Sequence, residues 1–412
     1  MERILFTTPI LEYPAMGGPQ LRIANSITAL NQICDVRVFS RHNLDKENDA
    51  TLHLFVSENC TEYIWANPYI YNLDAPRILQ YSERLIRKIY DPRKRQHARI
   101  IENYVQQNHI STVWFGYGNI SLGLIRQVRR LCPDTKIVCD TDSVWSRFVL
   151  RALPFSSIWR KPYVVISGMI AQRRETLMTQ ISDVLTAVSE IDREVYQAIP
   201  NKRATIMRFS NVVNLDMYDQ SDLKNATIKR PAIYLAGTFG HKNSPMDYGC
   251  VWFLDEVLPL VKQTKPNVHL YIAGARSIER FGGYINQNVT VLGRMKDLVP
   301  YLCAMDVSIV PLFFESGTRY KILESAICGI PVVSTTLGVE GLELNHEEDL
   351  LVADSAQEFS NAITRMIEDS SLRSTLVASS RQKVEEMYVI QNLMQEGINI
   401  LDYLATIGNT PR

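Results

Sequence analysis

No two cysteines in this sequence are spaced C-x-x-C: Cys34, Cys60, Cys132, Cys139, Cys250, Cys303 and Cys328 are scattered and odd in number. That excludes a disulfide framework and a zinc ribbon, and it fits a reduced, cytosolic compartment. An excess of charge is missing too. Lys plus Arg and Asp plus Glu each number 44, so the strong basicity of a dedicated nucleic-acid binder is absent. No nucleic-acid partner is expected, and any anion site must be local. No window approaches 18 uncharged apolar residues, so no segment is expected to span a bilayer. His42, His53, His97, His109, His269 and His346 lack metal-ligand spacing. No G-x-S-x-G elbow signals a serine nucleophile, and no G-x-G-x-x-G follows the first apolar run, as a NAD site would require. That first run, MERILFTTPILEYPAMGG, is interrupted by Glu12 and Pro14 and reads as a strand rather than a secretion signal.

What is present is an alternation of short β-rich runs with helical patterns, the mark of a parallel sheet wrapped by helices. RILFTTP, DVRVFS, TVWFGYG, KIVCDTD, DVLTAVS and ATIMRFSNVV are the strands expected in the first half. At 412 residues the chain exceeds one ordinary core, and residues 1–214 are assigned to a first doubly wound domain. The polar stretch NLDMYDQSDLKNATIKR has neither period, which makes 215–230 a linker. The alternation then restarts over 231–390, with strands AIYLAGTF, HLYIAGA, VTVLGRM, SIVPLFF, PVVSTT and DLLVAD, and with helices at 246–263, 297–305 and 317–328. The tail from 355 to 407 is nearly all helical, and 391–412 forms a last helix that can pack back on the first domain. Two basic and apolar stretches, 77–104 and 147–174, suit contact with an anionic membrane surface and equally suit solvated helix faces.

One stretch carries the chemistry. In FFESGTRYKILESAICGIPVVS a strand ends, a Gly turn follows, and Ile322, Leu323, Ala326 and Ile327 recur on one helical face. Ser316 suits an N-cap, and Gly317 lets the backbone come close to a ligand. Arg319 and Lys321 stand in a first turn where the helix end is already partly positive, so an incoming anion would account for them. A diphosphate held by backbone N–H groups, a guanidinium and an ammonium fits that arrangement, and so does a solvated helix end. Glu324 lies one turn further on, about 10 Å along the axis from Gly317, and suits the vicinal hydroxyls of a ribose.

The stretch ESGTRYKILESAICGIPVVSTTLGVEGL resembles the donor-binding motif of glycosyltransferase family 4. GTFGHKNSPMDYGCVWFLDEVLPLV, HLYIAGA and VTVLGRMKDLVPYLCAMDVSIVPL extend the likeness, as do GGPQLRIANSITAL and DVLTAVSEIDREVY in the first half. The resemblance implies an α/β chain of GT-B fold, two Rossmann-like doubly wound domains facing across a cleft, with a helical C-terminal tail. It implies a retaining hexosyl- or related transferase of polysaccharide biosynthesis, taking sugar from a nucleoside-diphosphate donor to a glycan, lipid-linked or small-molecule acceptor. Residue by residue, Glu324 takes the place of the ribose-binding Glu. Gly317 and Thr318 offer backbone N–H groups, and Arg319 with Lys321 face the diphosphate. Gly17 and Gly18 form the loop approaching from the other domain, while Gly237, His241, Lys242 and Arg294 are further donor contacts. Many members carry a Glu where Ser316 stands here, and Glu315, one residue earlier, is the candidate replacement, grouped with Arg319 and Lys321 as catalytic.

In the first domain a family His is replaced by Tyr117 and Asn119 in WFGYGNISLG. Asp140 and Asp142 of CDTDSVWSR are the acidic candidates on the acceptor side, with turn and cap roles as the alternative. With cations at the diphosphate no metal or other cofactor is expected, DTD being a weak metal signal. The expected location is the cytoplasm, with peripheral contact at the inner face of a membrane. Two other functions share this scaffold: a nucleotide-sugar epimerase, which would use cleft carboxylates and histidines, and a non-catalytic nucleotide-sugar-binding subunit.

Overall fold

Both halves of the chain turn their apolar runs into strands that are buried on both faces, the arrangement that parallel sheets flanked by helices require. The computed structural model describes residues 2–15, 17–41, 50–65, 92–218, 227–240, 242–295 and 298–407. The chain forms two units, one made of Met1–Ser146, Ile166–Ser210 and Leu393–Arg412, the other of Arg147–Val165 and Asn211–Asn392. Residues 147–165, expected in the N-terminal domain, therefore cluster with the second unit. The last helix, Ile390–Ile407, lies almost wholly within the first.

The first unit is built on β1 (Arg3–Thr8), β2 (Asp35–Ser40), β3 (Glu62–Trp65), β4 (Thr112–Phe115), β5 (Lys136–Cys139), β6 (Val184–Ala187) and β7 (Thr205–Arg208). These strands pair in parallel in the order β3-β2-β1-β4-β5-β6-β7. β3 and the helix Ala50–Asn59 were not expected from sequence; β3 is a short edge strand, half-buried and without alternation. The order reverses at β1, between β2 and β4, so the carboxyl ends of β1 and β4 mark this sheet's natural ligand position. Ile101, Val113, Phe115, Ile125, Val128 and Tyr196 fill one side of the sheet.

β8 (Ala232–Ala236), β9 (His269–Ala273), β10 (Val289–Gly293), β11 (Val307–Val310), β12 (Val332–Ser334) and β13 (Leu351–Val352) make the second sheet, in the order β10-β9-β8-β11-β12-β13. Its reversal lies between β8 and β11. The helix expected at 246–263 is divided: Pro245–Trp252 and Leu258–Thr264 flank a π-turn at Phe253–Val257. Pro259 has no N–H for the carbonyl four residues back, which accounts for the break. The helix expected at 297–305 is one turn, Val299–Leu302, and that at 317–328 begins only at Tyr320. In the expected linker, Leu215–Tyr218 forms a 3-10 turn. The helical tail opens with a capping box, Ser355 accepting from the Glu358 N–H while the Glu358 carboxylate accepts from the Ser355 N–H.

At the carboxyl ends of β5, β6 and β7 lies a buried ion pair between Arg22 and Asp140. Asp140 is wholly buried and also accepts from Thr186 Oγ1 at 2.7 Å, while Arg22 donates to the Phe209 carbonyl at 3.0 Å. Asp140, one of the acidic candidates expected on the acceptor side, is thus buried, and through Thr186 and Arg22 it ties the ends of β5, β6 and β7 together inside the protein. Removing one partner of a buried pair leaves an uncompensated charge, so Asp140→Ala is expected to destabilise the first unit by about 3–5 kcal/mol. Guanidinium denaturation followed through the fluorescence of buried Trp114 measures the loss, and Asp140→Asn should cost less because it keeps hydrogen-bonding atoms in place.

Candidate functional site

The helix Tyr320–Ile327 is held by its apolar side, where Ile322, Leu323, Ala326 and Ile327 are buried in the second unit's core. Each side chain of that size contributes about 1.5–3 kcal/mol on burial. At its far end the Gly329 N–H reaches the Ala326 carbonyl at 3.1 Å and the Ile330 N–H reaches that of Ser325 at 2.9 Å. This is a Schellman motif, with Gly329 at φ 72° as the left-handed residue. The helix is therefore anchored, and its N-terminal turn is presented in a fixed place at the carboxyl end of β11.

That turn differs from the sequence expectation. Its N-cap is Arg319, which makes no side-chain capping bond, rather than Ser316. Gly317 has φ 81°, which only glycine adopts without strain, and it reverses the chain between strand and helix. Among the described residues the N–H groups of Gly317 and Thr318 donate to no backbone carbonyl. The Ser316 hydroxyl is buried and has no hydrogen-bond partner among the described residues. Arg319 is buried, and its Nη1 donates to the carbonyls of Ser316 (3.0 Å) and Gly317, so its charge sits inside the turn instead of extending from it. Thr318 Oγ1 accepts from Asn211 Nδ2 at 2.8 Å, and Tyr320 donates its hydroxyl to Asn211 Oδ1 at 3.3 Å. Arg151 Nη1 holds the Glu315 carbonyl at 2.8 Å and forks onto Glu340 with two bonds of 2.7 Å.

Lys321 is half-buried, with Nζ 3.0 Å from the Met246 sulfur. Burial lowers its ammonium to about 8, opposed by the charge of Glu315, aided by that of Arg319 and opposed by that of Glu324. Glu324 accepts the Tyr218 hydroxyl at 2.7 Å. Burial raises its carboxyl above the usual range, while the Tyr218 hydrogen bond and the Lys321 charge act the other way. Met246 also lies against the turn after β8, where a Cβ on Gly237 would meet it at 3.1 Å. The turns after β8, β9 and β10 are laced together: the Gly237 N–H donates to Ala273 at 3.0 Å and the Gly274 N–H to Gly293 at 2.8 Å. Gly237, Glu315, Ser316, Gly317, Thr318, Arg319, Lys321 and Glu324 thus stand along one end of the second sheet. Lys242 and Arg294 are exposed at the same end, and His241 lies outside the described residues. Sequence reasoning missed Asn211, Tyr218, Arg151 and Met246; an aromatic residue in an otherwise polar linker was the one signal, at Tyr218.

In the first unit Gly17 caps the helix Gly18–Asn31, which begins at Gly18 and has Pro19 in its first turn. At the ends of β4 and β5, Asp142 accepts from Asn119 Nδ2 at 2.6 Å and from Trp145 Nε1 at 3.2 Å. Burial raises the Asp142 carboxyl, against hydrogen bonds from Trp145, Tyr117 and Asn119. Tyr117, Asn119 and Asp142 are therefore brought together, with Asp140 buried below them. Arg41, not singled out from sequence, ends β2 beside them: its guanidinium donates to Thr7 Oγ1 at 3.1 Å and Ser121 Oγ at 2.9 Å, and burial lowers it to about 9. Among the described residues no three His, Cys, Asp or Glu side chains gather as a metal site.

Residues 230–369, which lie within the second unit, match the sequence family described as Glycosyl transferases group 1. An uncharacterized 44.6 kDa protein in the cps region of Klebsiella pneumoniae is 24% identical over 181 residues, 42% of this chain and 45% of that protein. The aligned part is thus less than half of that relative's length. Among solved structures, HepE from Anabaena in complex with UDP-glucose has a TM-score of 0.66 at 12% identity, covering 98% of this chain and 100% of its own. Sucrose-phosphate synthase from Thermosynechococcus elongatus has a TM-score of 0.71 at 16% identity, covering 99% and 100%. The fold is that of the GT-B glycosyltransferases.

The turn depends on one backbone conformation. A Cβ at Gly317 is expected to destabilise the second unit by about 1–2 kcal/mol, because left-handed backbone is unfavourable for other residues. Chemical denaturation of Gly317→Ala measures this, with Gly240→Ala as control, since an added Cβ there meets nothing within 4 Å.

Proposed function

We propose that this protein is a glycosyltransferase of family 4 that moves a hexosyl or related sugar from a nucleoside diphosphate to an acceptor with retention of anomeric configuration. The observation that carries the reading is the turn at 315–318. Two backbone amides and the Lys321 ammonium stand at the mouth of one helix, with the Glu324 carboxylate one turn beyond them. As the glycosidic bond breaks, negative charge grows on the departing diphosphate. The amides of Gly317 and Thr318 and the Lys321 ammonium stabilise it from fixed positions, which is the form of electrostatic assistance that contributes most to such reactions. Arg319 assists from within: it holds the carbonyls of Ser316 and Gly317 and adds its charge behind the amides.

Glu324 takes the ribose hydroxyls, and Tyr218, kept protonated by burial and by the Glu324 charge, orients that carboxylate. Glu315 and Ser316 stand where the transferred sugar is read. Cationic residues and amides fill the role that a divalent ion has in other transferases, so no resident metal is invoked. The acceptor, a glycan or a lipid-linked chain of polysaccharide synthesis, falls to Tyr117, Asn119 and Asp142 of the first unit. Seven unpaired thiols fit work in a reducing cytoplasm.

Because HepE was solved with UDP-glucose, a uridine donor is the first to try. Thermal shift with UDP-, GDP-, ADP- and TDP-linked sugars should raise the melting temperature for one base, and Glu324→Ala should abolish that rise. Products formed with and without acceptors then separate transfer from epimer formation and from binding alone; no shift with any donor sinks the reading. Lys321 supplies a second, independent check. Its ammonium is the form that meets a diphosphate and is lost above about 8, so affinity for UDP should hold level below neutrality and fall above that value. The fall approaches about tenfold per pH unit until the proton is held by the ligand itself. Lys321→Arg should flatten the profile; a flat profile in the unaltered protein would remove Lys321 from the site.

A further inference from the structure

Of all the surface described, the run from Ile158 to Arg174 is least suited to water. Trp159 is 90% exposed, Ile158 74%, Tyr163 69%, Met169 62% and Ile166 58%. Most of this run lies on the helix Lys161–Ile181, whose inward row is Val164, Gly168, Glu175 and Met178. Trp159, Tyr163, Ile166 and Ile170 follow one another at spacings of four, three and four, so they form one outward stripe, with Val165 and Met169 beside it. From Tyr163 to Ile170 the stripe covers about 10 Å of helix.

The charge around it has one sign. No acid occurs from Ser143 to Arg174, and the stretch holds six cations. Two of them, Arg147 and Arg151, are engaged with Glu340. Of the other four, Arg160 and Lys161 stand at one end of the apolar stripe and Arg173 and Arg174 at the other, all exposed. Arg174 also donates to the Asn119 carbonyl at 3.4 Å.

We propose that the segment Ile158–Arg174 docks this protein on an anionic bilayer surface. The apolar stripe enters the boundary between headgroups and acyl chains, Trp159 and Tyr163 sit at the level where such rings prefer to lie, and the four cations meet lipid phosphates. The segment lies on the membrane and does not cross it, since no described helix is long and apolar enough to do so. A second copy of the chain is a poorer occupant. A two-fold pairing through this stripe sets the cations at its ends against the cations of the copy, with no acid in the stretch to separate them. The inference holds whether or not the protein transfers a sugar.

Flotation of the full chain with vesicles tests it, using phosphatidylcholine alone or with about one third phosphatidylglycerol. The unaltered protein should float with the anionic vesicles and lose binding as salt is raised. Trp159→Ala with Ile166→Glu should weaken partitioning by roughly tenfold or more. Arg160→Glu with Lys161→Glu should remove the preference for phosphatidylglycerol by a comparable factor. All four side chains are exposed, so both variants should melt as the unaltered protein does. Absence of binding to anionic vesicles, or binding indifferent to both variants, overturns the proposal. A dimer that Trp159→Ala with Ile166→Glu turns into a monomer, with no vesicle binding, overturns it in favour of a second copy.

Discussion

The reversal of the chain at Gly317 is the constraint around which the second unit's candidate site is organised. A left-handed residue there lets β11 run into a helix within a few residues while leaving two amides turned away from the backbone ladder. Such a turn is not self-supporting. It is held at Glu315 by Arg151, at Thr318 by Asn211, from within by Arg319 and below by the buried side of the helix. These tethers come from widely separated parts of the sequence, and together they give the turn the rigidity that a site of preformed electrostatics needs.

That separation also explains what the sequence made legible. Strands buried on both faces are continuous apolar runs, so most of them, and the restart of the pattern near 231, were readable directly. The helix end at Gly329 was readable because Gly and Pro punctuate it. The start of the same helix was not: Ser316 has the chemistry of a cap, but the turn carries it three residues too early, and its hydroxyl faces inward. Arg319 was identifiable as a cation at the right place, whereas its inward course depends on two carbonyls that no pattern reveals. Tyr218 and Asn211 reach Glu324 and Thr318 across about a hundred positions of sequence, where only the fold brings them together. Asp140 was the opposite case. Its motif looked chemical, and Arg22, far off in sequence, converts it into a fastening.

A chain with no net charge still distributes its charges unevenly. Arg22 with Asp140, Arg129 with Asp183, and Arg280 with Asp247 join elements within each unit and are mostly or wholly withdrawn from water. Such pairs contribute geometry more dependably than stability. Along 158–174, by contrast, Arg160, Lys161, Arg173 and Arg174 stand in a stretch that holds no acid.

The final helix, Ile390–Ile407, adds a temporal consequence. Glu396 binds Arg208 Nε at 2.7 Å and the Ser210 N–H at 2.6 Å, and Gly397 lies close to Leu30 and Ile33. The first unit is therefore interrupted by the second along the polypeptide, and the wall this helix supplies is made only after residues 211–392 have been added. A nascent chain leaving the ribosome must keep Leu30, Ile33 and Phe209 uncovered until this helix emerges, nearly two hundred residues after Phe209.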